Sequence, residues 1–600
     1  MINIQSIRNP IKLFLLLSIT LSFQLSIFAA ITKSAKPASD VRVLVDMSGS
    51  MKLNDPDNLR IPAVQLMSNL LPPDSQAGIW TFGQYVNMLV PLGPVDNAWK
   101  KNAVASAKKI NSLGLFTNIG GAMEHASFGW KTPDDDIKRS LILLTDGVVD
   151  VSKDPAENAA ARRKVLKELL PQYKKAGITI HTIALSGDAD EKLLATIAAE
   201  TDGWYQKVTN ASELQKVFLK IFEQATERDS VPLTDNRFSI DDQIEEFTLL
   251  IFKNKDSKPT VLEQPDGESY DAGADNERIT WFESADYDLI TINAPMTGDW
   301  RVYADIDPDN RVLVVSNLKI KSSVLPNNLL ANEKFKYKMR LLQEGVVITE
   351  ADFLRLLSME VEVTSANGKS EVFKLLDDGT GVDEKASDGI YSIELSTPDE
   401  AGVTQISATV ESPTFHRMRQ QAINVFDSPV AIQTSLSSDV NIAHKIFFVP
   451  VTDVAKADSL KIDVDVQLPD QQKLELKATL DTGFTQAIEL KVSETGGVYW
   501  LQAKITGVTP AGREFQVSPP FYQFTTDSIT PELVEPIVEV IEDAGDKDSS
   551  KKDQADSDMT KWLIIGLGIN LFLILLGWFI FKIIKKRDQT NAIKMGELLE

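Results

Sequence analysis

The chain contains no cysteine among its 600 residues. Disulfides, zinc-thiolate centres and thiol catalysis are therefore excluded. Histidine is nearly as scarce, with four in all, which leaves little material for imidazole metal sites or general-base catalysis. Basic residues are outnumbered, 62 Lys and Arg against 85 Asp and Glu, for a net charge of −23. No basic face is offered to phosphate, so a nucleic-acid partner is not expected. The sequence has no Gly-x-Ser-x-Gly elbow, no His-Glu-x-x-His helix and no phosphate-cradling Walker loop. These gaps argue against an enzyme.

What is present reads as folded protein. Hydrophobic residues make up 43 % and charged residues 24 %, the proportions of an ordinary globular chain. Six hundred residues exceed what one core can organise, so several domains are expected. Residues 1–30 join Arg8 and Lys12 to an apolar centre, LFLLLSITLSF, and finish at Ala29 and Ala30. That pattern is a secretory signal. Residues 562–584, WLIIGLGINLFLILLGWFIFKII, would span roughly 35 Å as a helix, enough for a hydrocarbon core of about 30 Å. Asp556 and Asp558 precede this run, and Lys582, Lys585, Lys586 and Arg587 close it. The expectation is a single-pass type I membrane protein, with residues 585–600 as a cytoplasmic tail. Residues 528–560 are acidic, carry prolines and read as a flexible stalk. Lack of cysteine and the short tail favour a Gram-negative inner membrane, with the body in the periplasm.

Within the body, residues 38–228 alternate apolar strand runs (VRVLV, AGIWTF, SLILLT, ITIHTIAL) with amphipathic stretches at 61–71, 98–110, 155–175 and 211–227. This pattern predicts a doubly wound α/β domain. Beyond residue 228 the period shortens to that of strands. Gly298-Asp-Trp300, Gly389-Ile-Tyr391 and Gly497-Val-Tyr499 each open an alternating run, with the aromatics about 91 and about 108 residues apart. That spacing suits immunoglobulin-like sandwiches of roughly 100 residues. Three are expected, at 229–320, 321–428 and 429–527.

One stretch carries the chemistry. VLVDMSGSM breaks from a buried strand into Asp46, Ser48 and Ser50, with Gly49 expected to let the loop curl. A serine there suits a nucleophile, a helix cap or a metal ligand. Asp146 ends the strand run LILLTDG, and Thr117 lies in LFTNIGGAM ahead of another helix. In a doubly wound sheet all three segments reach the carboxyl edge. Hydroxyls with two carboxylates suit a hard cation, Mg2+ before Mn2+ or Ca2+. Neutral hydroxyl ligands leave that ion electrophilic.

The set Asp46, Ser48, Ser50, Thr117 and Asp146 resembles the metal-ion-dependent adhesion site of von Willebrand factor type A (integrin I-like) domains. The resemblance covers about residues 38–228. It implies that Ser48, Ser50 and Thr117 coordinate directly and that Asp46 and Asp146 act largely through water. It also implies a protein ligand that completes the shell with an Asp or Glu carboxylate. The overall layout, including PMTGDW at 295–300, is similar to calcium-activated chloride-channel regulators and to bacterial membrane-anchored type A proteins. The zinc-protease segment usual in the former is missing here. The function expected is adhesion or envelope-complex assembly, with a metal-indifferent scaffold as the alternative.

A second cluster, Asp377, Asp383 and Asp388, lies in a glycine-rich loop and is a candidate calcium loop. It lacks the regular EF-hand spacing, and Asp and Gly also serve turns. His181 alternates within a strand run and is expected to be packed.

Overall fold

The computed structural model describes residues 37–528 except 135, 147, 186–188 and 227, with the side chains of 211 and 212 also left out. The expected signal, membrane span and tail lie outside these residues, as does all but the first residue of the expected stalk. No helix among the described residues is long and apolar enough to cross a membrane.

The first domain follows from its apolar runs. Strands β1 (Ser39–Asp46), β2 (Ser75–Phe82), β3 (Val86–Pro94), β4 (Lys138–Thr145), β5 (Thr179–Ala184) and β6 (Tyr205–Lys207) form one sheet in the order β3-β2-β1-β4-β5-β6. The strands run parallel except β3, which folds back antiparallel on the outer edge of β2. The parallel sheet was expected; the antiparallel edge strand was not.

Helices cover both faces. They are the single turn α1 (Met51–Asn54), then α2 (Arg60–Leu70), α3 (Asn97–Ala107), α4 (Ile119–Ala126), α5, α6 (Glu191–Glu200) and α7 (Ala211–Ala225). Helix α5 runs as Pro155–Lys164, a π-helical turn Val165–Leu169, and Leu170–Lys175. Pro171 has no amide to donate, which accounts for the wide turn just ahead of it. Successive residues of β4 point to opposite cores. Ile142 and Leu144 face α2, α3 and α7, while Leu141 and Leu143 face α4, α5 and α6. Five helices start where a side chain caps a free amide: Asp96, Asn118, Asp154, Asp190 and Asn210 accept from Trp99, Gly121, Ala156, Leu193 and Glu213. Each cap contributes about 1 kcal/mol.

Three β cores follow, centred on residues 231–314, 318–425 and 430–524. The Gly-x-aromatic signal marks a strand start in each. Gly298 and Gly497 sit at φ +130° and +123°, where a side chain is strained. Trp300 packs on Phe238 and Phe247, and Tyr499 stacks on Phe524 with ring centroids 4.6 Å apart. The first two sandwiches are not independent beads. Ser230 pairs with Met418, joining a sheet of each into one ten-stranded sheet. Leu250, Phe252, Tyr287, Leu289 and Leu313 of the first sandwich also belong to the α2–α3–α7 core.

Candidate metal centre

Strands β1 and β4 flank the point where strand order reverses, and each ends in a side chain of the site. Loops from four segments are stitched together there. Met47 donates its amide to the Phe82 carbonyl at 2.8 Å, and Gly114 donates to the Met47 carbonyl at 2.7 Å. Thr117 and Asp150 exchange amide bonds at 2.5 and 3.1 Å. Ser48 pairs with Gly114 in a short bridge. Thr117 thus stands three residues after a partner of the serine loop and pairs with the loop that follows Asp146. A Cβ on Gly114 would come within 2.6 Å of the Met47 carbonyl, so glycine is required at that crossing. Gly49, expected to matter for the serine turn, meets only an ordinary 3.6 Å contact and has no left-handed φ.

The side chains converge. Ser50 donates its hydroxyl to Asp146 Oδ1 at 3.0 Å. The Ser48 hydroxyl lies 3.0 Å from that of Ser50 and 3.5 Å from Asp146 Oδ1. Ser50 precedes helix α1 yet makes no side-chain cap, so the cap reading of this serine fails. Asp46 accepts the Ser48 amide at 2.8 Å on one oxygen and the Thr145 hydroxyl at 2.5 Å on the other. Asp46, Ser48, Thr117 and Asp146 are buried, while Ser50 is exposed at the mouth. Burial pushes the Asp46 carboxyl up to about 6, and the nearby Asp146 charge adds to this.

Two contributors, Asn54 and Arg60, were not legible in the sequence, and a third, Thr145, shows there only as part of the run LILLTDG. Asn54 donates to Asp146 Oδ2 at 2.9 Å and fixes that carboxylate from its far side. Thr145 holds Asp46, as above. Arg60, fully buried, donates to Asp55 at 2.6 Å, to the Asp46 carbonyl at 2.5 Å and to Ser112 Oγ at 2.9 Å. Its guanidinium therefore ties the end of β1, the start of α2 and the 111–118 loop together. The only sequence signal for it is a lone cation at the start of an otherwise apolar helix.

The donor set fits a hard divalent cation. It is all oxygen, its two carboxylates are buried side by side, and its two serine hydroxyls already point at one of them. Among the described residues, this site included, no cluster of three or more His, Asp or Glu side chains could hold a metal ion; the site offers two carboxylates and relies on hydroxyls for the rest. In the candidate calcium loop, Asp377 accepts the amides of Asp388 and Gly389 at 3.2 and 2.9 Å. Asp383 accepts from Gly379 at 2.6 Å, and Asp388 from Ile390 at 3.0 Å. Their oxygens close turns. His181 is packed, its Nδ1 accepting the Trp204 amide at 3.2 Å.

An α/β domain with an oxygen-lined, hydroxyl-rich carboxyl edge, followed by β-sandwiches, is the class these observations define. Residues 40–220 match the family model of the von Willebrand factor type A domain. Residues 319–414 match the Conditioned medium factor second Ig-like domain. Among solved structures, the chain is similar to a von Willebrand factor type A protein from Catenulispora acidiphila, 14 % identical with a TM-score of 0.27. That match covers 52 % of this chain and 64 % of the other. Proximal thread matrix protein 1 from the mussel byssus, with a zinc-occupied MIDAS motif, is 20 % identical with a TM-score of 0.25, over 32 % and 50 % of the two chains. An aerotolerance-related membrane protein from Bacteroides fragilis is 19 % identical with a TM-score of 0.24, over 31 % and 98 %. A search of the curated proteins finds no match.

Proposed function

We propose that the protein is exported, anchored in a membrane by residues 562–584, and captures a protein ligand through a divalent cation at the carboxyl edge of its type A domain. Ser48, Ser50 and Thr117 would hold the ion through their hydroxyls, with Asp46 and Asp146 balancing its charge through water. Magnesium suits the set before manganese or calcium. When bound, the ion supplies an electrophilic position for an Asp or Glu carboxylate of the partner. The chain's own residues orient the shell and tether its loops; no chemical step is required of them. The observation that carries this reading is Ser50 Oγ on Asp146 Oδ1 at 3.0 Å with Ser48 beside it, joining loops 96 residues apart.

The test is thermal unfolding of the full-length chain with magnesium and with EDTA. Magnesium at 100 times its dissociation constant stabilises a one-site protein by about 2.7 kcal/mol. Asp46→Ala should abolish the magnesium-dependent rise while leaving the fold intact; equal shifts in both proteins would reject the reading. A metal-indifferent scaffold of an envelope complex is favoured by one observation, the core that the type A domain shares with the first sandwich. Under that reading, partner capture survives EDTA.

A further inference from the structure

The loops that carry the site also carry exposed apolar side chains. Leu53, Tyr85, Leu113, Leu115 and Val148 are between 52 and 85 % exposed. Leu53 follows the serine turn, Leu113 and Leu115 precede Thr117, and Val148 follows Asp146. Tyr85 stands on the β2–β3 turn, which packs against the same cluster: a Cβ on Gly83 would lie 3.2 Å from the Leu115 carbonyl. Elsewhere on the domain, the exposed large apolar side chains among the described residues are Met88, on the edge strand, and Phe128, at the opposite end of the sheet. Five such side chains held in water on one edge give the fold nothing, and patches of this kind mark binding surfaces.

The charges on these loops run against those of the chain. The exposed charges on these loops include Lys52, Lys108, Lys109 and Lys153 against Asp57 and Asp154, whereas the whole chain carries −23. An apolar surface with a cationic fringe around an electrophilic ion complements one kind of peptide. We infer, resting on the metal reading above, that the site takes an acidic segment of a partner protein whose ligating Asp or Glu is flanked by apolar side chains. The ion takes the carboxylate. Leu53, Tyr85, Leu113, Leu115 and Val148 cover the flanking side chains, and the lysines meet further acids outside.

The test uses the full-length chain and two synthetic peptides, Gly-Leu-Phe-Glu-Val-Leu-Gly and Gly-Ser-Ser-Glu-Ser-Ser-Gly, titrated in magnesium and in EDTA. The apolar peptide should bind roughly tenfold tighter or better than the serine peptide, and only in magnesium. Leu113→Ser with Leu115→Ser, both on the surface, should remove most of that preference while the magnesium-dependent thermal shift stays as in wild type. Leu53→Ser should act in the same direction. Equal or absent binding of the two peptides with the thermal shift intact overturns the inference and leaves the metal reading standing. Loss of the thermal shift in wild type overturns both. Equal binding of the apolar peptide in EDTA overturns the carboxylate-centred mode.

Discussion

Replacing Arg60 with methionine should damage fold and site together, and the two effects can be separated. The guanidinium is fully buried and paired with Asp55, itself buried, at 2.6 Å. Removing one partner of a buried ion pair leaves the other charge uncompensated, at about 3–5 kcal/mol. The Asp46 carbonyl also loses a donor, for about 1 kcal/mol more. A second substitution, Asp55→Asn, removes the stranded charge but keeps an oxygen for the Leu59 amide, which Asp55 accepts at 2.6 Å. The double variant should recover about half of the lost stability in urea unfolding under EDTA. It should not recover magnesium affinity, because the guanidinium that joins the Asp46 carbonyl to Ser112 is gone and the Met47–Gly114 crossing alone then holds the two loops. Affinity would be read from the magnesium dependence of the melting temperature. A single variant that melts like wild type, or a double variant with wild-type magnesium response, would refute Arg60 as the tether of these loops.

Other consequences are simpler. Burial pulls the His181 imidazole down to about 3, while in the unfolded chain it titrates near 6.5. Its contribution is therefore intact above pH 6.5 and is lost as pH falls toward 3, with about 2 kcal/mol gone between pH 7 and pH 5. His181→Gln should flatten that slope in urea melts run across the range, and an unchanged slope would refute the assignment. The pair Glu223–Arg311, at 3.0 Å, joins α7 to the first sandwich. Arg311→Leu should lower urea stability by about 3–5 kcal/mol, and a loss below about 1 would show the pair to be dispensable. Gly298→Ala should cost roughly 1–3 kcal/mol, because φ is +130° and the new Cβ would lie 3.0 Å from the Pro265 ring; a neutral result in thermal melts would contradict the strain.

Periodicity exposed the elements that bury a regular face. Continuous runs such as LILLT became central strands because both sheet faces are covered, and the amphipathic stretches became helices within one to three residues. Strand β3, VNMLVPLGP, escaped notice because an edge strand exposes one side and carries prolines. The Gly-x-aromatic repeat was legible because a left-handed glycine before a core aromatic is a local device. The merging of two sandwiches through Ser230 and Met418 was not, since that pairing joins residues far apart in sequence. The site divides in the same way. Aspartates and hydroxyls at strand ends announce themselves, whereas Asn54 and Arg60 act through partners that only the fold brings near. Gly114 shows the limit well. Its role is set by the Met47 carbonyl, 67 residues earlier, and not by its own neighbours.

The two ends of the sheet are put to opposite uses. At the edge away from the site, Asp202 accepts the Asn327 amide at 3.0 Å, and the Trp204 indole donates to the Asn327 carbonyl at 3.0 Å. Lys174 reaches the Pro510 carbonyl of the third sandwich, and Arg228, the last residue of the domain, donates to the Leu70 carbonyl at 2.8 Å and to Thr248 Oγ1 of the first sandwich at 3.2 Å. Along the side, α7 is fixed by Gln215 on Asp286, by Lys216 on Asp307 and by Glu223 on Arg311. Each tether buries polar groups whose loss would strand a partner. The β-domains therefore hold the α/β domain as a mount holds a lens. What they leave open is the edge where Ser50 is exposed and the apolar loops stand. A spacer needs to grip its load somewhere, and this chain grips the far edge of the sheet and the α7 side, leaving open the face that the proposed ion would make attractive to a partner.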